Sequence, residues 1–329
     1  MADALPLLWT DVPLHPEALT RLRDHVQLSG PTISPELAAT PPFAFNDAVA
    51  AIVGPRVAYD STAFAAAARL KVIARTGIGY DNVDIPAASA AGVCAVNTPD
   101  APTESTAEFA IALMFAVARR IPAADLNSKA GVWKLDPSVM GFDLAEKTLG
   151  LVGFGRIARR VTEMARAIRM RVRAYDPFVG PAVIAESGAT PCGDLPELLQ
   201  GSHVLSLHVP LAANTRRLIS HEQLALLPRG AILINTARGP LIDEAAVLEA
   251  LNTGQLNGAG IDVWTAEPTQ PDNPLFRHPR VVATPHLAAY TEEGRRRSHA
   301  AAAEHVLAVL RGEQPTTLID PKVWASRRK

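Results

Sequence analysis

Three polar side chains carry the chemistry open to this chain, and each sits just past an apolar run. Arg238 follows 231–235 in I-N-T-A-R-G-P, Glu267 follows 258–263 in D-V-W-T-A-E-P, and His286 follows 281–284 in T-P-H-L-A-A. Histidine titrates near neutral pH, so His286 suits taking and giving a hydroxyl proton. A carboxylate beside it would favour the charged imidazole and hold its orientation, a part that Glu267 can fill. The planar guanidinium of Arg238 can bind a carboxylate and polarise a carbonyl. Singly, each has an ordinary structural reading. A histidine after a strand is more often structural, an arginine can answer a helix end or a phosphate, and a glutamate before Pro268 can cap a helix. Their shared position lifts the constellation above those readings. In open parallel sheets ligands bind outside the carboxyl ends of the strands, where all three would lie.

The stretch from Thr148 to Asp176 supplies a partner for that chemistry. The apolar run 149–152 breaks into Gly153-Phe154-Gly155-Arg156-Ile157-Ala158, a helical pattern comes next, and a second apolar run ends at Asp176. This is the order of a strand, a phosphate-binding turn, a helix and a strand that ends in a ribose-binding carboxylate. Gly153 permits the tight turn, and Gly155 lets the backbone approach a pyrophosphate at the positive end of a helix. Ala158 takes the third glycine position. Asp176 would accept hydrogen bonds from the ribose hydroxyls of NAD and repel the extra phosphate of NADP. With a dinucleotide beside His286, the chemistry expected is hydride transfer between an alcohol and nicotinamide.

The surrounding elements alternate. In the first hundred residues, runs at 6–10, 51–53, 71–75 and 92–96 read as strands, and 16–25, 61–70 and 85–91 as helices. Alternation of this kind argues for a parallel sheet. The polar stretch Asn97-Thr98-Pro99-Asp100-Ala101-Pro102-Thr103 reads as a linker before a long apolar helix over about 105–120. From Thr148 onward six runs fit strands, namely 149–152, 172–175, 203–208, 231–235, 258–263 and 281–284. A final Ala- and Arg-rich helix covers about 291–310 and is expected to return to the first domain. The expected class is α/β, with two doubly wound parallel-sheet domains. Residues 1–100 with 290–329 would form a flavodoxin-like substrate domain, and 101–289 a Rossmann cofactor domain inserted into it.

Composition narrows the partners. A chain of 329 residues is long enough for two domains, and a net charge of −1 with only a short basic run at Arg295–Arg297 gives no nucleic-acid footprint. Cys94 and Cys192 form neither a C-x-x-C pair nor a metal-ligand spacing, so no metal is expected and both read as thiols in a reducing compartment. The start lacks a signal-peptide pattern, and the longest apolar run, 109–118, is too short for a bilayer. A cytoplasmic protein is expected.

Four motifs together resemble the D-isomer-specific 2-hydroxyacid dehydrogenase family. They are A-R-T-G-I-G-Y-D-N-V-D at 74–84, G-F-G-R-I-A at 153–158, N-T-A-R-G-P-L-I-D-E at 235–244, and A-E-P at 266–268 with T-P-H-L-A-A at 284–289. The resemblance covers nearly the whole chain. It implies His286 as acid/base, Glu267 as its partner and Arg238 as substrate anchor. It also implies a substrate loop at Arg75–Gly79 whose amides at Ile78 and Gly79 hold a carboxylate, with Tyr80 beside it. Thr106, Gly153, Gly155, Arg156, Ile157, Asp176, Pro210, Thr215, Ala237 and Asp262 match cofactor-contacting positions, Asp262 toward the nicotinamide carboxamide. The implied cofactor is NAD, and the implied assembly is a homodimer built on the cofactor domain. The substrate would be a small 2-hydroxy or 2-oxo acid such as glyoxylate or hydroxypyruvate. Members acting on 3-phosphoglycerate usually carry arginine just after the strand that here ends at Val53, whereas this chain has Gly54-Pro55 and only then Arg56. Phosphoglycerate dehydrogenase activity is therefore the alternative, and the chain's end soon after the last helix gives no expectation of a regulatory domain. A third reading is a non-enzymatic NAD-binding corepressor, which the same motifs resemble.

Overall fold

A computed structural model describes residues 5–30, 45, 47–134 and 139–329. The chain divides into two compact units, one of Met1–Pro102 with Tyr290–Lys329 and one of Thr103–Ala289. The first begins with β1 (Leu7–Thr10), α1 (Pro16–Leu22), β2 (Gln27–Ser29), β3 (Ala50–Val53), α2 (Ser61–Ala66), β4 (Val72–Arg75), α3 (Ile85–Ala90) and β5 (Cys94–Asn97). The strands form one parallel sheet in the order β2-β1-β3-β4-β5. β3, β4 and β5 are buried along their whole length, as short apolar runs in a sheet covered on both faces must be. Local chemistry starts the helices. The Asp60 carboxylate accepts from the amides of Thr62 and Ala63 at α2, and Asp84 accepts from Ala87 at α3.

The second unit runs α4 (Thr103–Ala118), α5 (Ile121–Lys129), β6 (Thr148–Val152), α6 (Arg156–Ala167), β7 (Arg171–Tyr175), α7 (Pro181–Glu186), β8 (Thr190–Pro191), α8 (Leu195–Gln200), β9 (Val204–Leu207), α9 (His221–Leu226), β10 (Ala231–Asn235), α10 (Glu244–Asn252), β11 (Leu256–Ile261) and β12 (Val281–Ala283). Its parallel sheet has seven strands in the order β12-β11-β10-β9-β6-β7-β8. The six runs expected from sequence become seven strands, because β8 is two residues long and has no apolar run to announce it. β2, three residues at the edge of the other sheet, escaped for the same reason. Alternation divides the core. Leu205, Leu207 and Leu233 face Val247 and Leu251 of α10, while Val204, Ile232 and Ile234 face the opposite way with Met114 of α4 and Val161 of α6.

The chain then adds α11 (Glu292–Leu310) and α12 (Val323–Ser326) to the first unit. α11 lies along α1 and across β3, β4 and β5. Its Ala302, Ala303 and Val306 share a core with Ala18 and Leu22 of α1. Small residues let the two helices approach closely. His299 of α11 is buried in this contact, where its Nδ1 accepts a hydrogen bond from the His15 backbone amide at 2.9 Å.

That bond fixes His299 as the tautomer with a bare Nδ1, since a proton there would point at another N–H. Burial, with the charges of Arg295 and His15, pushes its pKa from 6.5 down to about 4. A depressed histidine contributes stability that is present above 6.5 and lost as pH falls toward 4. The expected result is a loss of up to roughly 3 kcal/mol across that window. Chemical denaturation of the wild type between pH 7 and 4 measures it. In His299→Gln, which keeps an acceptor that cannot titrate, this part of the slope should vanish.

Candidate active site

The three polar residues found in the sequence emerge from three adjacent strands. Arg238 follows β10, Glu267 follows β11 and His286 follows β12. The His286 Nδ1 lies 2.7 Å from Glu267 Oε2, and both side chains are about one-third exposed, so the pair is reachable from solvent. The other Glu267 oxygen accepts from the Trp264 amide at 2.9 Å, which fixes the carboxylate plane. Burial works to raise the Glu267 carboxyl. The bond and charge of His286, the Trp264 amide and the nearby Arg238 charge outweigh it and hold the group below its ordinary value.

His286 sits in the left-handed region, with φ at 57°. That conformation is uncommon for a residue with a Cβ, so something must hold it. The holder is Asp262, fully buried at the end of β11. Its Oδ1 accepts from the Thr284 hydroxyl at 2.6 Å and the Leu287 amide at 2.8 Å, and its Oδ2 accepts from the Ala288 amide at 2.9 Å. Its backbone carbonyl accepts from the His286 amide at 2.8 Å. The Trp264 indole closes the same corner by donating to the Thr284 carbonyl at 3.0 Å.

Arg238 is half-buried, and its Nη1 donates to the Ala237 carbonyl at 2.6 Å. The turn that bears it is fixed by Asn235, whose side chain accepts from the Ala237 amide and donates to the Arg238 carbonyl. The next residue is Gly239 for a steric reason. A Cβ there would fall 1.9 Å from the Trp264 carbonyl carbon and 2.4 Å from the Thr265 nitrogen. The Arg238 turn thus lies directly on the backbone of the Glu267 turn. Gly239, Trp264 and Thr284 were not singled out in the sequence. The R-G-P context of Gly239 was its only signal.

The glycine turn lies at the carboxyl end of β6, beside the point where strand order reverses between β6 and β9. Gly153 has φ at +89°, and a Cβ there would meet the His208 carbonyl oxygen at 2.7 Å. Gly155 caps α6 and is different, because a Cβ on it would meet nothing within 4 Å. Glycine at 155 therefore leaves space beside the helix start that no protein atom fills, as a phosphate cradle requires. Asp176 is half-exposed at the end of β7, where it accepts from the Phe154 and Phe178 amides. Arg156 and Ile157 open α6, Thr106 is buried in α4, and Ala237 adjoins Arg238. The Thr215 hydroxyl donates to the Pro210 carbonyl at 2.8 Å, shaping the loop after β9. Among the described residues no group of histidine, cysteine and acidic side chains could hold a metal ion.

In the other unit, the loop after β4 is pinned from β5. The Gly77 amide donates to Thr98 Oγ1 at 2.7 Å and the Asn97 side chain donates to the Ile78 carbonyl at 2.7 Å. The amides of Ile78 and Gly79 donate to no described protein group. Arg75 is buried and its guanidinium turns back onto its own loop, donating to the Thr76 carbonyl. Tyr80 is exposed.

Residues 111–288 match the NAD binding domain of the D-isomer specific 2-hydroxyacid dehydrogenases. A glyoxylate reductase of Korarchaeum cryptofilum is 41% identical over 267 residues, covering 80% of each chain. A D-3-phosphoglycerate dehydrogenase of Methanocaldococcus jannaschii is 42% identical over 254 residues, 77% of this chain and 48% of that protein. This chain thus spans about half the length of the phosphoglycerate dehydrogenases it matches. The crystal structure of a Thermus thermophilus protein superposes with a TM-score of 0.85 at 37% identity, covering 95% of this chain and all of that one. A doubly wound NAD-binding domain with an acid–histidine pair at its strand ends defines the class as a nicotinamide-dependent one. The chain belongs to the D-isomer specific 2-hydroxyacid dehydrogenase family, with NAD as cofactor.

The two glycines separate structure from binding. Gly239→Ala should lose on the order of 1–3 kcal/mol, because the new methyl group meets backbone that cannot step aside. Gly155→Ala should unfold like the wild type yet bind NADH more weakly, since its methyl group occupies only the ligand's space. Urea denaturation beside NADH fluorescence titration reads both. A stable, normally active Gly239→Ala variant would contradict the packing described.

Proposed function

We propose that this protein is an NAD-dependent oxidoreductase that reduces small 2-oxo acids, such as glyoxylate or hydroxypyruvate, and oxidises the matching D-2-hydroxy acids. The observation that carries this reading is the 2.7 Å pair of His286 Nδ1 and Glu267 Oε2, with the Arg238 charge close to it. Bound NAD supplies or accepts the hydride. With Nδ1 engaged by Glu267, the Nε2 of His286 is the ring atom that gives a proton to the carbonyl oxygen on reduction and takes it back on oxidation. Arg238 anchors the substrate carboxylate and polarises the neighbouring carbonyl. In the other unit, the unused amides of Ile78 and Gly79 are donors suited to a substrate carboxylate, and Arg75 keeps their loop in shape. Tyr80 limits the size of the substrate group beyond the second carbon.

Asp176 receives the ribose hydroxyls of the cofactor, and Gly153, Gly155, Arg156 and Ile157 receive its pyrophosphate. Thr106, Pro210, Thr215 and Ala237 complete the cofactor contacts. Asp262, fully buried, serves the nicotinamide side of the site by holding the turn at 284–288 in place. The substrate is a small molecule and not a nucleic acid. Free, buried Cys94 and Cys192 suit a reducing cytoplasm, and no helix among the described residues is long and apolar enough to cross a membrane. A homodimer through the cofactor domain is supported by α5, which buries none of its residues yet presents Ile121 and Leu126, with Val132 and Trp133 just beyond, all exposed. A second copy would cover them.

Phosphoglycerate dehydrogenase activity is the second reading, favoured by the 42% identity to a protein so named. Against it, the Gly54 amide is already held by the buried Asp11 carboxylate at 2.7 Å, so the expected phosphate position presents a carboxylate and no arginine. Exposed Arg56 is two residues further on.

His286→Ala should lose about a hundred- to ten-thousand-fold in turnover while NADH still binds. Glu267→Gln should move the alkaline limb of the reduction profile toward acid, because a neutral amide no longer stabilises imidazolium. Steady-state rates across pH test both, and an unchanged profile in Glu267→Gln would break the pairing. A panel of glyoxylate, hydroxypyruvate, pyruvate and 3-phosphohydroxypyruvate, each with NADH and NADPH, should favour the unphosphorylated acids with NADH. A higher kcat/KM for the phosphorylated acid would establish the second reading, and no turnover of any would favour the corepressor. Sedimentation of Trp133→Glu should show dissociation relative to a wild-type dimer; a monomeric wild type would remove the dimer.

A further inference from the structure

We propose that the amino edge of the seven-stranded sheet holds a second binding site, for a small phosphate-bearing anion with at least two negative charges. A cleft of about 620 Å³ opens there, lined by Arg166, Arg171 and Arg173 with Thr148, Thr190 and the backbone of Gly188, and no carboxylate lines it. Its volume is that of an ordinary small-molecule site. The residues come from strand starts and helix ends. Thr148 begins β6, Arg171 begins β7 with Arg173 two residues on, Thr190 begins β8, and Arg166 lies in the last turn of α6. Arg171 and Arg173 therefore project to one face.

The three guanidiniums are not equally compensated. Arg173 is paired to Glu197 at 2.8 Å. Arg171 donates to the Glu146 carbonyl at 2.8 Å, a neutral group that leaves its charge unanswered. The Arg166 guanidinium is exposed and bonds to no described protein group. Burial, and after it the charges of Lys147 and Arg171, push His203 beside the cleft below its ordinary value. The ordinary reading is that such arginines answer helix carboxyl ends. α6 supplies about half a negative charge, and α7 and α8, of six residues each, supply less. Arg166 and Arg171, both exposed and neither paired to a carboxylate, carry more positive charge than that.

The backbone under the arginines is bare. A Cβ on Gly188 would fall 2.1 Å from Arg166 Nη1, and one on Gly201 would fall 2.2 Å from Arg173 Nη1. A side chain at either position would require the guanidinium above it to shift. Gly188 also has φ at +87°, so its turn has a second reason for glycine, whereas Gly201 sits at φ −100° and has only the steric one. Guanidiniums beside threonine hydroxyls, only one of them paired to an acid, can recognise phosphate oxygens. The cleft is separate from the cofactor turn. Thr148 is the first residue of β6 and Gly153 follows its last, a strand's length of roughly 16 Å.

Isothermal titration with inorganic pyrophosphate, and separately with ATP, should show one site per chain in enzyme already saturated with NADH. Arg166→Gln/Arg171→Gln should weaken that binding at least about tenfold, the two charge-assisted contacts being lost, while NADH affinity and the far-UV spectrum stay unchanged. ATP binding more tightly than pyrophosphate would identify a nucleotide as the ligand, and equal affinities a free polyphosphate; either supports the site. Absence of binding at millimolar ligand, equal binding by the double variant, competition with NADH, or binding of duplex DNA alone would overturn it. Gly201→Ala, which keeps every charge, should also weaken binding by displacing Arg173.

Discussion

The buried carboxylate of Asp262 is the constraint on which the site depends. Its two oxygens and its carbonyl bind four donors, on Thr284, His286, Leu287 and Ala288. Hydrogen bonds to a charged group contribute about 1.5–3 kcal/mol each, whereas a left-handed residue costs on the order of 1–2 kcal/mol. The bonds win, and His286 is held with φ at 57° and its ring toward Glu267. Without Asp262, the chain after β12 would relax to an ordinary conformation and turn the imidazole elsewhere. The acid therefore acts through the backbone on a residue 24 positions away.

A second constraint ties the remaining members to this corner. β10 and β11 are hydrogen-bonded neighbours, so the turns at their carboxyl ends must pass close to each other. Gly239 lets them touch, and the Trp264 backbone it packs against also supplies the amide that fixes Glu267. Arg238, Glu267 and His286 are thus positioned by one layer of backbone contacts at the ends of β10, β11 and β12. Their separation in sequence is wide, yet sheet order makes them neighbours. The charges then support one another, because His286 and Arg238 together hold the Glu267 carboxyl down against its burial.

Residue type and position made much of this legible. An arginine, an acid and a histidine after successive apolar runs pointed to one sheet edge, and the glycine turn with Asp176 pointed to a dinucleotide. Both inferences needed only local pattern and the rule that parallel strands share an edge. The features that escaped depended on tertiary packing. β2 and β8 are too short to carry an alternating pattern, and they exist because a neighbouring strand offers them hydrogen bonds. Asp262 read as a cofactor contact, since nothing local says that four donors will converge on it. Resemblance alone places Arg75 in the substrate loop, and nothing local says that its guanidinium turns back onto that loop beside Gly77. The arginines at the amino edge belong to α6 and β7 and match no sequence motif.

On the function proposed above, cofactor choice rests on how Asp176 is held. Its Oδ2 takes the Phe154 amide at 2.7 Å and its Oδ1 takes the Phe178 amide at 2.8 Å, so the carboxylate cannot swing away. One bond to each oxygen leaves outer lone pairs for two ribose hydroxyls, which is the demand of an unphosphorylated ribose. A phosphate at the 2′ position would bring further negative charge against a fixed acid, while the neighbouring Pro177 and Phe178 bring no cation to offset it. The same two amides belong to the glycine turn and to the loop after β7. Replacing Asp176 would therefore loosen the glycine turn as well as remove the proposed ribose contact. Relaxed selectivity and weakened NAD binding are for that reason a single consequence, and an engineered switch to NADP needs a new acceptor for the Phe154 amide as well as a new positive charge.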